Sequence, residues 1–175
     1  IKSPQYDPYK RHGRVTLFSF NHHTCIFGLL RGNYFEPGVG LASFFENVHC
    51  AFAETALEMP DKKFVIKVKK DIEGIQAVRR ALLKNNMDPD SIKNLEITET
   101  MDPSDLIMNS DVISAFGSTT ILEASVAKKQ VIIPMFDEAV KEEYKDYIIF
   151  RREFYAFNVA WSKQEYRKML KEAII

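Results

Sequence analysis

Short, continuous apolar runs alternate along the chain with stretches in which apolar residues recur every three or four positions. The first pattern predicts strands and the second helices. The clearest instance is Asp111 to Asp137, DVISAFGSTTILEASVAKKQVIIPMFD. An apolar run over Val112 to Phe116 leads into the turn Gly117-Ser118-Thr119-Thr120. A helix is expected from Ile121 to roughly Lys129, and a second apolar run covers Val131 to Phe136. This is a strand–turn–helix–strand unit, and runs without polar alternation predict a parallel sheet covered on both faces.

The same alternation extends in both directions. Residues 1–13, with two prolines and several charges, read as a linker or irregular approach. Arg14 to Phe20 is the first expected strand, and Asn21-His22-His23 follows at its C-terminal end. Cys25 to Gly40, with four glycines and one proline, reads as a long loop. Leu41 to Met59 is a helix with an apolar face of Leu41, Phe44, Phe45, Val48, Phe52, Ala56 and Met59. Phe64 to Lys69 is the second strand. Ile72 to about Asn86 is a helix with Ile75, Val78, Leu82 and Leu83 inward. Leu95 to Thr100 is a third strand, and Asp102 is placed to cap a short helix over Pro103 to Asn109. After the central unit come a mixed stretch, Glu138 to Phe150, a short strand at Phe157 to Trp161, and a last helix capped by Ser162. Its apolar face is Tyr166, Met169, Leu170, Ala173 and Ile174. The expected fold is therefore α/β: a doubly wound, mostly parallel sheet of about five to six strands with helices on both faces, occupying residues 14–175.

Composition narrows the field without deciding it. The 175 residues, 46% hydrophobic and 27% charged, suffice for one domain with a full core. The 24 basic and 24 acidic residues cancel, so no bulk electrostatic attraction to nucleic acid or an anionic membrane is expected. No apolar run approaches the roughly 18 residues of a membrane span. Cys25 and Cys50 lack metal-ligand spacing and read as reduced and structural, as in a cytoplasmic protein. The first residue is Ile1, not Met, and together with the one-domain pattern this suggests a piece of a longer protein.

In doubly wound sheets, ligands bind at the C-terminal strand ends where the strand order reverses. Those ends are Ser19 to His23, Lys67 to Lys70, Thr98 to Thr100, Gly117 to Thr120 and Phe136 to Glu138. Gly117-Ser118-Thr119-Thr120 offers a close backbone approach, hydroxyl donors and the free N–H groups of a helix start, which suits an anion. Thr120-Ile121-Leu122-Glu123 equally fits a capping box, so Glu123 reads either as the reciprocal cap or as an acceptor for two ribose hydroxyls. His22 and His23 read as contacts to a phosphate or a reacting oxygen, or as a solvated loop pair. Lys67 and Lys69 share a strand face and read as phosphate partners or as a solvated strand end. Asp88-Pro89-Asp90 has an Asp-x-Asp form but turn composition. No third ligand supports zinc.

The segment S-D-V-I-x-x-x-G-S-T-T-x-x-E-A followed by K-K-x-V-I-I-P, Ser110 to Pro134, resembles the C-terminal, donor-binding domain of GT-B fold glycosyltransferases, nearest to enzymes of bacterial capsule and lipopolysaccharide synthesis. The resemblance implies a nucleotide-sugar donor as substrate, with no separate cofactor and no metal. It places the donor phosphates on Gly117, Ser118, Thr119 and Thr120, the ribose on Glu123, and Asn21, His22 and His23 beside the phosphates. Two features depart from the family. Val68-Lys69 stands where many relatives carry His-Pro, with Lys69 as a substitute cation, and Ala115 stands where retaining members carry a glutamate. The resemblance further implies a partner N-terminal domain that holds the acceptor, a cytoplasmic location extending to the inner membrane face, and peripheral membrane contact by the longer protein. Two other readings share the fold: a UDP-GlcNAc 2-epimerase-like domain and a non-catalytic interaction domain.

Overall fold

A computed structural model describes residues 7, 9–21, 40–70 and 74–175. His22, His23, Cys25 and all but the last residue of the Gly-rich stretch lie outside the described residues. The strands are β1 (Arg14–Phe18), β2 (Lys63–Lys67), β3 (Leu95–Thr98), β4 (Val112–Ala115), β5 (Gln130–Pro134) and β6 (Asn158–Ala160). They form one six-stranded sheet in the order β3-β2-β1-β4-β5-β6. Every pairing is parallel. β1 is central, with Leu17 opposite Ile66 on one side and Ser114 on the other. The strand order therefore reverses between β1 and β4. Both edge strands are short, which limits the unpaired backbone open to another chain.

Most strands stop before their apolar runs do. Phe20, Phe116 and Phe136 have left the ladder but remain packed on the core, and the last two are buried. Phe44 touches all three rings at centroid distances of 5.1, 4.9 and 5.1 Å. The extra apolar length thus forms an aromatic cluster at the C-terminal edge of the sheet.

The helices are α1 (Ala42–Glu58), α2 (Gly74–Lys84), α3 (Pro103–Met108), α4 (Thr120–Val126) and α5 (Lys163–Ile174). Right-handed crossovers in opposite directions from the centre put α1 and α2 on one face and α4 on the other. Helix α5 returns to pack beside α1. Between them, Glu54 pairs with Lys163 at 3.1 Å and Arg167 at 3.0 Å, and Glu58 pairs with Arg167 and Lys171. Beneath, the buried hydroxyls of Ser114 and Tyr166 lie 2.7 Å apart. The expected local caps are present: Asp102 accepts from the Asp105 N–H and Ser162 from the Glu165 N–H, each at 3.0 Å.

Three expectations are corrected. Leu83 is exposed, because it falls about 100° round the helix from buried Leu82. Ala77 and Ala81 fill the inner face of α2 instead. Helix α4 is shorter than its apolar pattern, because Lys128 turns into the left-handed region at φ 58°. The capping box is not formed. Thr119, not Thr120, precedes α4, it is itself αR, and no side chain of its own caps the helix. The Ser118 hydroxyl accepts from the Thr120 N–H at 3.2 Å in its place.

The end of the N-terminal segment is fastened at the opposite edge of the sheet. The Asp111 carboxylate accepts from the N–H groups of His12 and Gly13 at 2.8 and 2.9 Å. Arg11 donates to the carbonyls of Ile174 and Ile175.

Candidate functional site

A cleft of about 500 Å³ opens over the C-terminal ends of β1, β2 and β4, at the reversal of strand order. Its floor is apolar, with Phe18, Phe20, Leu41 and Phe116. Its rim is polar: Ser19 and Asn21 follow β1, Lys67 ends β2 and Lys69 follows it, and Gly117, Ser118 and Thr120 follow β4. Seven residues from three strand ends, far apart in sequence, meet here because the parallel sheet brings every C-terminal end to one edge. Pockets of this make-up, apolar with a few convergent polar groups, are the usual seats of small ligands.

The β4 turn is built for close approach. Gly117 sits at φ +59°, where side chains are strained, and a Cβ there would meet nothing within 4 Å. Glycine is therefore needed for its backbone conformation, and the space above it stays open to the cleft. The Ser118 and Thr119 N–H groups have no acceptor among the described residues. Having accepted from Thr120, the Ser118 hydroxyl retains its own hydrogen for donation. Helix α4 has only seven residues, so the turn offers local donors more than a macrodipole.

On the β2 side, Lys67 donates to the carbonyl of Glu99 at 2.6 Å, which orients the ammonium without neutralising it. Lys69 is exposed and makes no ion pair among the described residues. Together they supply uncompensated positive charge along one wall.

Of the residues singled out from sequence, Asn21, Lys67, Lys69, Gly117, Ser118 and Thr120 line the cleft. Thr119 and Glu123 are exposed and outside its walls, with Glu123 one turn further along α4 on the Thr119–Thr120 side. The Glu123 carboxylate makes no hydrogen bond among the described residues. His22 and His23 lie outside the described residues. At the end of β5, Glu138 is buried against the start of α1 rather than presented to the cleft. Asp88 caps a turn and Asp90 pairs with Arg79 at 2.9 and 2.7 Å, so the Asp-x-Asp form is structural. Among the described residues no group of three or more His, Cys, Asp or Glu is placed to hold a metal, and no helix is long and apolar enough to cross a membrane.

Sequence reasoning missed one constellation. His49, within an apolar helical face, is completely buried. Its Nε2 lies 2.8 Å from the Ser19 hydroxyl and its Nδ1 2.7 Å from the Phe45 carbonyl. The only local signal was a histidine in an otherwise hydrophobic stretch of α1.

No protein-family model and no curated protein matches the chain. Solved structures do. The UDP-GlcNAc 2-epimerase of Neisseria meningitidis, solved with UDP-GlcNAc bound, aligns with 92% of this chain and 35% of its own at a TM-score of 0.56 and 16% identity. A glycosyltransferase of kitacinnamycin aligns with 99% of this chain and 38% of its own at 0.50 and 14% identity. The chain thus spans little more than a third of either enzyme. At these identities the likeness is one of fold: the chain shares a Rossmann-like α/β fold with the aligned part of each.

Proposed function

We propose that this chain is the nucleotide-sugar donor-binding domain of a glycosyltransferase that builds cell-surface polysaccharide. The observation that carries the reading is the cleft at the strand-order reversal, where Ser118, Thr120, Asn21 and Lys69 converge from three strand ends. The donor phosphates would lie between the β4 turn and the lysines of β2, with Glu123 reaching the ribose. Chemistry would be displacement at the anomeric carbon with a nucleoside phosphate leaving, its developing charge stabilised by the turn donors and Lys69. A second domain would bring the acceptor and its base, so the isolated chain binds donor without transferring sugar.

The test is calorimetric titration with UDP, CMP, CDP and GDP, repeated on Ser118→Ala and Glu123→Ala. Binding of one nucleotide, weakened by both changes, is the expected result. Affinity untouched by either change would point to an interaction domain that kept the fold. The likeness to an epimerase favours one further reading, in which the same site serves rearrangement of the sugar without an acceptor. Product analysis of the longer protein separates the two: a glycoside on an acceptor, or an epimerised or released sugar.

A further inference from the structure

Between the two donor-rich walls of the cleft lies a group of opposite character. Strand β1 runs between β2 and β4, so Ser19 stands between Lys67 and Lys69 on one side and Ser118 on the other. Its hydroxyl is 2.8 Å from His49 Nε2, and the other ring nitrogen, Nδ1, is 2.7 Å from the Phe45 carbonyl. A carbonyl only accepts, so Nδ1 carries the ring hydrogen. The ring is completely buried, with the rings of Phe45 and Phe20 at centroid distances of 4.2 and 5.7 Å, where an ionised imidazole would be costly. Nε2 of the neutral ring is then an acceptor, and the Ser19 hydroxyl must donate to it. The Ser19 N–H is also spent, on the Lys67 carbonyl at 2.8 Å.

We infer that His49 is a positioning residue that fixes Ser19 as a hydrogen-bond acceptor, and that Ser19 selects the sugar of the ligand by accepting from one of its hydroxyl or amide groups. This rests on the nucleotide-sugar reading and refines it. With its single hydrogen turned inward, Ser19 offers only lone pairs to the cleft. Phosphate oxygens, themselves acceptors, are repelled from it and are left to Ser118 and Lys69. The part of the ligand seated on β1 must therefore bring a donor, and the aromatic floor beside it, Phe20 and Phe116, suits the apolar face of a sugar ring.

The experiment compares bare nucleotides with their sugar esters: UDP, GDP and CDP against their glucose esters, and CMP against CMP-N-acetylneuraminate. Each is titrated into the wild-type chain, Ser19→Ala and Ser19→Thr. Loss of one neutral hydrogen bond corresponds to a loss of about tenfold in affinity. Ser19→Ala is expected to weaken the sugar ester by about that factor and the bare nucleotide by less than about twofold, while Ser19→Thr retains the preference. In ligand-free protein, nitrogen-15 spectra of the His49 ring should show the hydrogen on Nδ1. A hydrogen on Nε2, or equal effects of Ser19→Ala on nucleotide and ester, overturns the inference and leaves the donor-site reading standing. Absence of binding by every nucleotide and ester overturns both.

Discussion

The Glu138 carboxylate caps helix α1, accepting from the Phe44 N–H at 2.7 Å and more weakly from the Ser43 N–H at 3.3 Å. Leu41, at the N-cap, has no side chain able to do this, so a residue 94 positions beyond Phe44 takes its place. The longest of the described helices begins beside the cleft, and its N-terminus is already capped by this carboxyl group. Within the cleft, the uncapped donors are those of the β4 turn and the β2 lysines. Glu138→Ala leaves two helix donors without an acceptor and should cost about 1–3 kcal/mol, read from urea denaturation midpoints. An unchanged midpoint would mean that water replaces the carboxylate without loss.

Lys69 is the exposed cation of the cleft rim, with neither an ion pair nor a hydrogen bond among the described residues. Lys69→Ala should lower nucleotide affinity by about three- to tenfold at low salt and flatten its salt dependence, since an exposed charge is screened within about 10 Å at 0.1 M. Titrations at two salt concentrations test this. Parallel salt slopes for wild type and variant would remove Lys69 from the phosphate site.

Glu58 is held below the usual glutamate value first by its hydrogen bond to Lys171, and then by the charges of Arg167 and Lys171. A carboxyl depressed in the folded state adds stability above its unfolded pKa, and that stability is lost as pH falls through the folded value. The clasp between α1 and α5 should therefore loosen in acid, below about pH 4.5. Because the site is largely exposed, the effect should stay under about 1 kcal/mol. Glu58→Gln should remove that part of the stability difference between pH 7 and pH 3 in paired denaturation curves.

Cys50 is free and buried, and burial pushes its thiol pKa up to about 12. At neutral pH it holds almost no thiolate, the reactive form. In a Cys25→Ser variant the native chain should resist thiol reagents, and one thiol should react once it is unfolded. Rapid labelling of the native variant would show that α1 opens readily.

The sequence by itself determined which segments are strands and helices and that the sheet is parallel. It also determined the caps at Asp102 and Ser162. These depend on side-chain periods of two and 3.6 residues and on capping partners three residues apart, all contained in a few consecutive positions. Tertiary structure alone decided where the apolar runs leave the ladder, because pairing stops while burial continues at Phe116 and Phe136. It decided that Thr120 and Glu123 form no capping box, since Thr120 is already inside the helix and its N–H is taken by the Ser118 hydroxyl. It also decided the long-range polar partnerships: Glu138 with Phe44, Asp111 with Gly13, and His49 with Ser19. Each joins groups whose separation along the chain carries no periodic signal. They meet because a buried donor or acceptor must find its partner among whatever the crossovers bring beside it.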